Sequence, residues 1–430
     1  MEQEQPSPVQ KPLLAGKRVI VTGAGIAGLA FPLALRKQWP SKYDAEFPTI
    51  VIYERDDLKT QIGREGYSIS IRGDALAGGM QALQKIGILE KLLDVSLTGR
   101  DNSTHTDGET SQDRGAFCLW DLKWNCLLRM TGKATDTELP APSMRIKRDA
   151  LRTVLIAAVD AISHVTMHWR TPCLSAEISP GAEQPVKVCL ADDRVDYSDF
   201  LIVADGAGSK VRSKLRPTDT LNYAGICMIS GTARFGENEI PKPMDKNWGG
   251  VLGGGGIGLF VSAVDSRSAL WALSYPEIHA RDRLAAPMSE EQVQSVLQEA
   301  LELGRPFMEP LPTLIKATDP STLTVMNAMD KQPFAHDNGC PIIFIGDSNH
   351  AMSPFAGNGA NMALCDAWDL AEQLCQSETL EHALRTYDGL SMPRSSKAID
   401  MSHWSISLLH SRGLKLLCYK LCLAVLRLFI

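Results

Sequence analysis

Two kinds of apolar patterning alternate along this chain. Continuous, largely β-branched runs at residues 19–21, 50–53, 200–204 and 341–345 have the character of parallel strands buried on both faces. Amphipathic stretches accompany them. Leu151, Val154, Leu155 and Ala158 share one helical face within 147–159, and another helix is predicted over 358–376. Residues 63–71 alternate as a strand, 74–94 read as a helix punctuated by Gly78, Gly79 and Gly87, and 116–130 read as a strand pair. Residues 99–115, rich in Gly, Asp, Thr and Ser, read as loop. Between 217 and 323 short β-like runs dominate, interrupted by one polar helix at 289–303. Strand–helix alternation at both ends of a sheet-rich middle predicts an α/β protein. Its doubly wound, Rossmann-like domain is discontinuous, with a sheet-rich domain inserted and helices at the C-terminus.

The first buried run leads into Gly23, Gly25 and Gly28, in G-x-G-x-x-G spacing. Gly23 suits a tight turn, Gly25 lets a pyrophosphate approach the backbone, and Gly28 lets the next helix pack on the strand. A helix N-terminus there offers free N–H groups to phosphate. The second run ends at Glu54, placed to bind ribose hydroxyls. Gly253, Gly255 and Gly258 repeat the spacing but lead into Leu-Phe-Val-Ser-Ala-Val, which predicts a strand and excludes a second nucleotide fingerprint. Pro32, in the second turn of the first helix, is expected to kink it.

Composition narrows the class. The apolar fraction of 44% and charged fraction of 22% are those of a globular protein, and 430 residues allow two or three domains. A net charge of −6 gives no reason to expect nucleic acid as a partner. The ten cysteines form no C-x-x-C pair and no zinc spacing, and residues 1–15 are polar without a secretory pattern. Reduced cysteines in a cytoplasmic protein are the expectation. Residues 414–430 are apolar but carry Lys415, Lys420 and Arg427 on one side of a helical wheel. This run is short and charged for a span; weak contact with a membrane surface and docking on the protein both stay open.

Two further strand ends carry acid and glycine: Asp205-Gly206 and Gly346-Asp347. In a doubly wound sheet all can meet one ligand beyond the strand ends. Val-Ala-Asp-Gly-Ala-Gly-Ser-Lys-Val-Arg at 203–212 and Phe-Ile-Gly-Asp-Ser-Asn-His-Ala-Met-Ser-Pro-Phe-Ala-Gly-Asn-Gly-Ala-Asn at 344–361, together with the fingerprint, resemble the single-component FAD-dependent monooxygenases of the para-hydroxybenzoate hydroxylase type. The resemblance implies FAD-binding parts at 16–98, 144–216 and 334–394, substrate-domain parts at 99–143 and 217–333, and a helical tail at 395–430. It implies that Glu54 binds the adenosine ribose and that Asp347 binds the ribityl chain or its phosphate neighbourhood. Gly359, Ala360 and Asn361 would place backbone N–H groups and a helix N-terminus near the flavin pyrimidine edge, and Arg148, with Gly66 as a lesser carry-over, would contact FAD. Asp205 and Gly206 would touch both FAD and a transient NADPH or NADH.

The implied chemistry is reduction of FAD by NAD(P)H, addition of O2 to give a C4a-hydroperoxyflavin, and hydroxylation or epoxidation of a small molecule, with secondary-metabolite biosynthesis as the setting. Trp120, Trp124, Trp248 and Trp271 suit a bulky apolar or aromatic substrate. No catalytic acid or base is assigned: His350 reads as structural, Pro354 as shaping the pocket, and Tyr223 and Arg234 as packing or surface. A halogenase is disfavoured because no Trp-x-Trp-x-Ile-Pro motif is present, and an NAD-dependent dehydrogenase leaves 344–361 unexplained. A non-catalytic, membrane-associated flavin protein is the alternative of a different class.

Overall fold

In the computed structural model, which describes residues 10–58, 67–97, 115–130, 138–191, 193–236, 239–284 and 287–427, the apolar runs pair as parallel strands. In chain order the first elements are β1 (Arg18–Thr22), α1 (Ile26–Gln38), β2 (Thr49–Tyr53), β3 (Ser68–Arg72), α2 (Gly79–Ile86) and α3 (Leu89–Asp94). β4 (Phe117–Asp121), β5 (Cys126–Met130), β6 (Ser143–Lys147), α4 (Arg148–Asp160), β7 (Val165–His168), β8 (Cys173–Ile178), β9 (Val186–Leu190), β10 (Val195–Ser198), β11 (Phe200–Val203) and α5 (Lys210–Leu215) follow. Next come β12 (Asn222–Arg234), β13 (Trp248–Leu252), β14 (Gly258–Asp265), β15 (Ser268–Pro276), α6 (Glu290–Leu303), α7 (Leu311–Lys316) and β16 (Thr324–Asp330). The last are β17 (Ile342–Phe344), α8 (Asp347–His350), α9 (Gly359–Gln376), α10 (Leu380–Leu409) and α11 (Gly413–Leu426).

The parallel sheet has the order β17-β11-β1-β2-β7. The order reverses between β1 and β11, and at such a switch point the loops after neighbouring strands part and leave a crevice. Helices α1, α2, α4 and α9 cover one face, around Leu29, Phe31, Ile52 and Leu370. The antiparallel sheet β10-β9-β8 covers the other, around Ile20, Val188 and Leu201. Burial on both sides explains why these strands are apolar throughout.

Among the described residues the second sheet has seven strands, in the order β16-β12-β15-β14-β13-β4-β5. Its strands alternate. Cys227, Ile229, Leu259, Val261, Trp271 and Leu273 point into a core closed by α6 and α7, while Met228, Ser230, Thr232, Phe260, Leu270 and Ala272 point the other way. α6 starts where Ser289 and Gln292 form a reciprocal capping box. The two-stranded sheet β3-β6 lies between the large sheets, and Ser68 in β3 reaches Ser262 in β14 at 3.2 Å.

Several expectations need correction. α1 runs unbroken through Pro32. The helix expected over 74–94 is two helices, because Gly87 caps α2. Two of the drawn divisions fall inside elements: 143/144 within β6 and 394/395 within α10, which continues past Pro393. Of the four tryptophans assigned to the substrate side, only Trp248 faces the large cavity described below. Trp271 is buried in the opposite core with its indole N–H on Thr318, and Trp120 packs there against Trp124. Gly253, Gly255 and Gly258 do lie at a β13–β14 hairpin. Residues 99–114 and Gly66 lie outside the described residues.

Candidate functional site

The crevice beyond β1, β11 and β17 opens into a cavity of about 3180 Å³. That is several times the ~300–1,000 Å³ of an ordinary small-molecule pocket, room for a dinucleotide and a substrate together. Gly23, Gly25, Glu54, Arg148, Asp205, Gly206, Asp347, Gly359 and Ala360 all line it. Two of the expected site residues do not. Gly28 packs α1 on the turn beneath, and Asn361 is fully buried.

The glycine turn divides its labour. A methyl group on Gly28 would stand 2.0 Å from the Gly23 carbonyl oxygen, whereas one on Gly25 would meet nothing within 4 Å. Gly28→Ala is therefore expected to lower stability by ~1–3 kcal/mol through overpacking. Gly25→Ala should leave the denaturation midpoint alone and weaken flavin binding by filling cradle space. Equal midpoints for the two variants would contradict this division.

Glu54 ends β2 with both carboxylate oxygens oriented. One accepts from the Ala24 N–H at 2.6 Å and the other from the Asp56 N–H at 2.9 Å. A carboxylate has about four acceptor positions, so two remain for a diol. Arg152, one turn after Arg148 on α4, donates to the Ala24 carbonyl at 2.9 Å and stacks on Trp169. Its burial lowers its pKa. Sequence reading missed Arg152, although two arginines four apart share a helix face.

Asp205 accepts from the Lys210 N–H at 3.1 Å, and its depth raises its pKa. Ser209 caps α5, and Arg212 ties the loops after β11 and β17 together by donating to the Ser348 carbonyl at 2.9 Å and the Ala207 carbonyl at 2.5 Å. Lys331, buried, donates to the Asn349 carbonyl and pairs with Asp219 at 3.2 Å, fixing the same segment.

Asp347 lies deep in the protein yet its carboxylate faces open cavity. Depth raises its pKa, while His350 and Arg148 act against that. Its exposed carboxylate is hydrated, and hydration together with these cations keeps it ionised. Its side chain has no hydrogen bond to a described residue, and its Oδ1 stands 3.9 Å from where a Gly359 methyl would be. The N-terminus of α9, at Gly359 and Ala360, opens on the same space with N–H groups that have no partner among the described residues. Asn358 Nδ2, buried, also has no partner among the described residues. Asn361 instead staples α9 to β3, accepting from the Arg72 N–H at 2.9 Å and donating to the Ser70 carbonyl at 3.0 Å. These features fit FAD: a glycine cradle for a pyrophosphate, carboxylates for hydroxyls, and a helix N-terminus for an electron-rich ring edge.

His350 is no free base. It is buried, and its Nε2 lies 2.5 Å from Asp366. Asp366 also accepts from Ser391 at 2.8 Å, Arg394 at 3.0 Å and the Gly346 N–H at 2.8 Å. Burial opposes His350 protonation, but the Asp366 carboxylate prevails and its pKa is raised; that of Asp366 is pushed far down.

Across the cavity stands the open face of the seven-stranded sheet. Register carries one row over it from Thr324 through Ser230, Ala272, Phe260 and Gly250 to Leu119 and Leu128. The floor is hydroxyl-bearing at the β16–β12 side and apolar toward β4 and β5, where α10 and α11 add Trp404, Leu408 and Leu423. Arg145, buried where β6 meets β14, donates to Ser70 Oγ at 2.9 Å and Ser262 Oγ at 2.8 Å and lies 5.4 Å from the Trp248 ring. Burial pushes its pKa down to about 9.

The chain resembles known proteins over most of its length. The family model described as FAD binding domain matches residues 17–402. The chain is 38% identical over 405 residues to "Monooxygenase cfoF" of Aspergillus candidus, covering 93% of each chain. It is 24% identical to "Aurachin C monooxygenase/isomerase" of Stigmatella aurantiaca, covering 90% of this chain and 88% of that one. In fold it resembles Klebsiella pneumoniae HpxO, solved with FAD and uric acid, at a TM-score of 0.72 and 19% identity, covering 95% of this chain and 92% of that one. Among the described residues no helix is long and apolar enough to cross a membrane, and no group of His, Cys, Asp and Glu is arranged to hold a metal. A cradle built for a dinucleotide, set against a substrate-sized chamber and matched over this length, places the chain in the FAD-binding-domain family as an FAD-dependent monooxygenase of the para-hydroxybenzoate hydroxylase type.

Proposed function

We propose that the protein uses NAD(P)H and O2 to hydroxylate or epoxidise a bulky apolar or aromatic small molecule in secondary-metabolite biosynthesis. One observation carries the reading: the dinucleotide cradle and the open face of the seven-stranded sheet line a single cavity. FAD bound there supplies the transfer of reducing equivalents and of an oxygen atom. The chain's own work is binding, orientation and exclusion of water.

Glu54 holds the adenosine ribose, Asp347 the ribityl region, and the α9 N-terminus at Gly359 and Ala360 the pyrimidine edge. Asn361 acts behind them by fixing α9 to β3. Arg148 contacts the cofactor, with Arg152 bracing the glycine turn. Asp205 and Gly206 contact FAD and the transient nicotinamide cofactor. Gly66 keeps its place in this proposal from sequence alone. Residues 16–98, 144–216 and 334–394 serve FAD, and 99–143 and 217–333 serve the substrate. Phe260, Trp248 and Leu119 supply apolar contact, and Ser230 and Thr324 meet a polar end. Weak membrane-surface contact through the C-terminal run belongs to the same proposal.

The test is direct. Purified protein should show a flavin absorption band, and NADPH or NADH should drive oxygen consumption that rises when a bulky aromatic substrate is added. A colourless protein that takes up no added FAD would defeat the reading.

A further inference from the structure

α11 has two unlike faces. Leu416, Tyr419 and Leu423 dock it over Leu119, Leu128, Leu252 and Leu408. Tyr419 adds a hydroxyl contact of 3.0 Å to Ser407 and an edge contact to the Trp404 ring. The other face is bare: Leu414, Leu417, Leu421 and Val425 are 80%, 53%, 60% and 55% exposed. Their spacing of three, four and four residues makes one straight stripe, and none of them lines the cavity. Because the inner face is docked, the stripe is presented rigidly.

Charge says what covers it. From residue 401 to 430 the chain carries Arg412, Lys415, Lys420 and Arg427 and no acidic residue, against a net charge of −6 for the whole. On the helical wheel the three basic residues share the docked side, Lys415 toward one margin of the stripe and Lys420 with Arg427 toward the other, so long basic side chains reach past the apolar ones on both sides. A second copy seated stripe to stripe would bring these cations together, because a two-fold interface pairs a patch with itself. An anionic lipid surface would instead accept the leucines among its acyl chains and the cations among its headgroups.

We propose that α11 seats the protein on an anionic membrane surface, with Leu414, Leu417, Leu421 and Val425 directed into the lipid. The helix lies on the bilayer and does not cross it. Its inner side walls the cavity through Leu423 and Leu426, so the chamber stands one helix away from lipid. This specifies the membrane contact proposed above and is independent of the reaction.

The experiment is co-sedimentation of flavin-loaded, full-length protein with phosphatidylcholine vesicles, with and without phosphatidylserine, at low and high salt. The expected result is pelleting with the phosphatidylserine vesicles, reduced by salt. Leu417→Ser with Leu421→Ser should lower binding at least about tenfold. Lys420→Gln and Arg427→Gln should each lower it about fivefold, and only on anionic vesicles. Wild-type protein left in the supernatant with both vesicle types would overturn the proposal. So would equal pelleting of the serine variant, or a wild-type dimer in solution that the serine variant converts to monomer. Flavin absorbance and oxygen consumption in the same samples report separately on the monooxygenase reading.

Discussion

Asp347→Ala is expected to strip the protein of most of its flavin while leaving it folded. The carboxylate lines the cavity at the first turn after β17 and makes no hydrogen bond to any described residue. Its removal therefore breaks no hydrogen bond among the described residues. What is lost is a charged acceptor for the polar chain of the cofactor. Hydrogen bonds to charged groups contribute ~1.5–3 kcal/mol, so FAD affinity should fall by about 10- to 150-fold. Titration of the apoprotein with FAD reads the affinity, and far-ultraviolet circular dichroism reads the fold. Full flavin occupancy in the variant would take Asp347 out of the site.

The largest loss of stability is expected one layer below, at Asp366. Its carboxylate serves His350, Arg394, Ser391 and the Gly346 N–H, all within 3.0 Å. Asp366→Ala leaves a buried imidazolium without its counter-charge and deprives Arg394 of one of its two carboxylates. Breaking one side of a buried pair costs ~3–5 kcal/mol. The denaturation midpoint should drop accordingly, and flavin should be released at lower denaturant, because Gly346 anchors the turn that carries Asp347. An unchanged midpoint would refute this account of the network.

The same pair sets a pH dependence. The pKa of Asp366 is depressed, so its contribution is present above the ordinary carboxylate value of about 3.9 and is lost as pH falls through its lower folded value. The pKa of His350 is raised, so its contribution is complete below the ordinary histidine value of about 6.5 and is lost as pH rises through its higher folded value. Stability is thus expected to be fullest between about pH 4 and 6.5 and to decline on the alkaline side. In Asp366→Ala the alkaline decline should shrink. An identical alkaline slope in both proteins would assign it to other groups.

What the sequence determined by itself is the part that rests on local demands. Parallel strands buried on both faces must be continuously apolar, a glycine turn needs its spacing, and an acid at a strand end needs only its neighbour strand. Those constraints act within a few residues, so the strands at 19–21, 50–53, 200–204 and 341–345, the turn at Gly23 to Gly28 and the placement of Glu54, Asp205 and Asp347 were legible. The capped helix beginning at Ser289 belongs to the same class.

Tertiary structure decided which way side chains face and what they brace. Alternation in β12, β14 and β15 shows two faces but not which one meets helices, so Trp271 went to the core and Phe260 to the cavity. The Asn361 side chain holds β3, because Arg72, 289 positions away in the chain, presents its N–H there. Arg145 met Ser262 across 117 positions, and Arg212 met Ser348 across 136. Such pairings depend on how separate sheets stack, and no local period encodes that. α11 is the last case: its composition allowed docking or exposure, and packing against β5 and α10 produced both, one on each face.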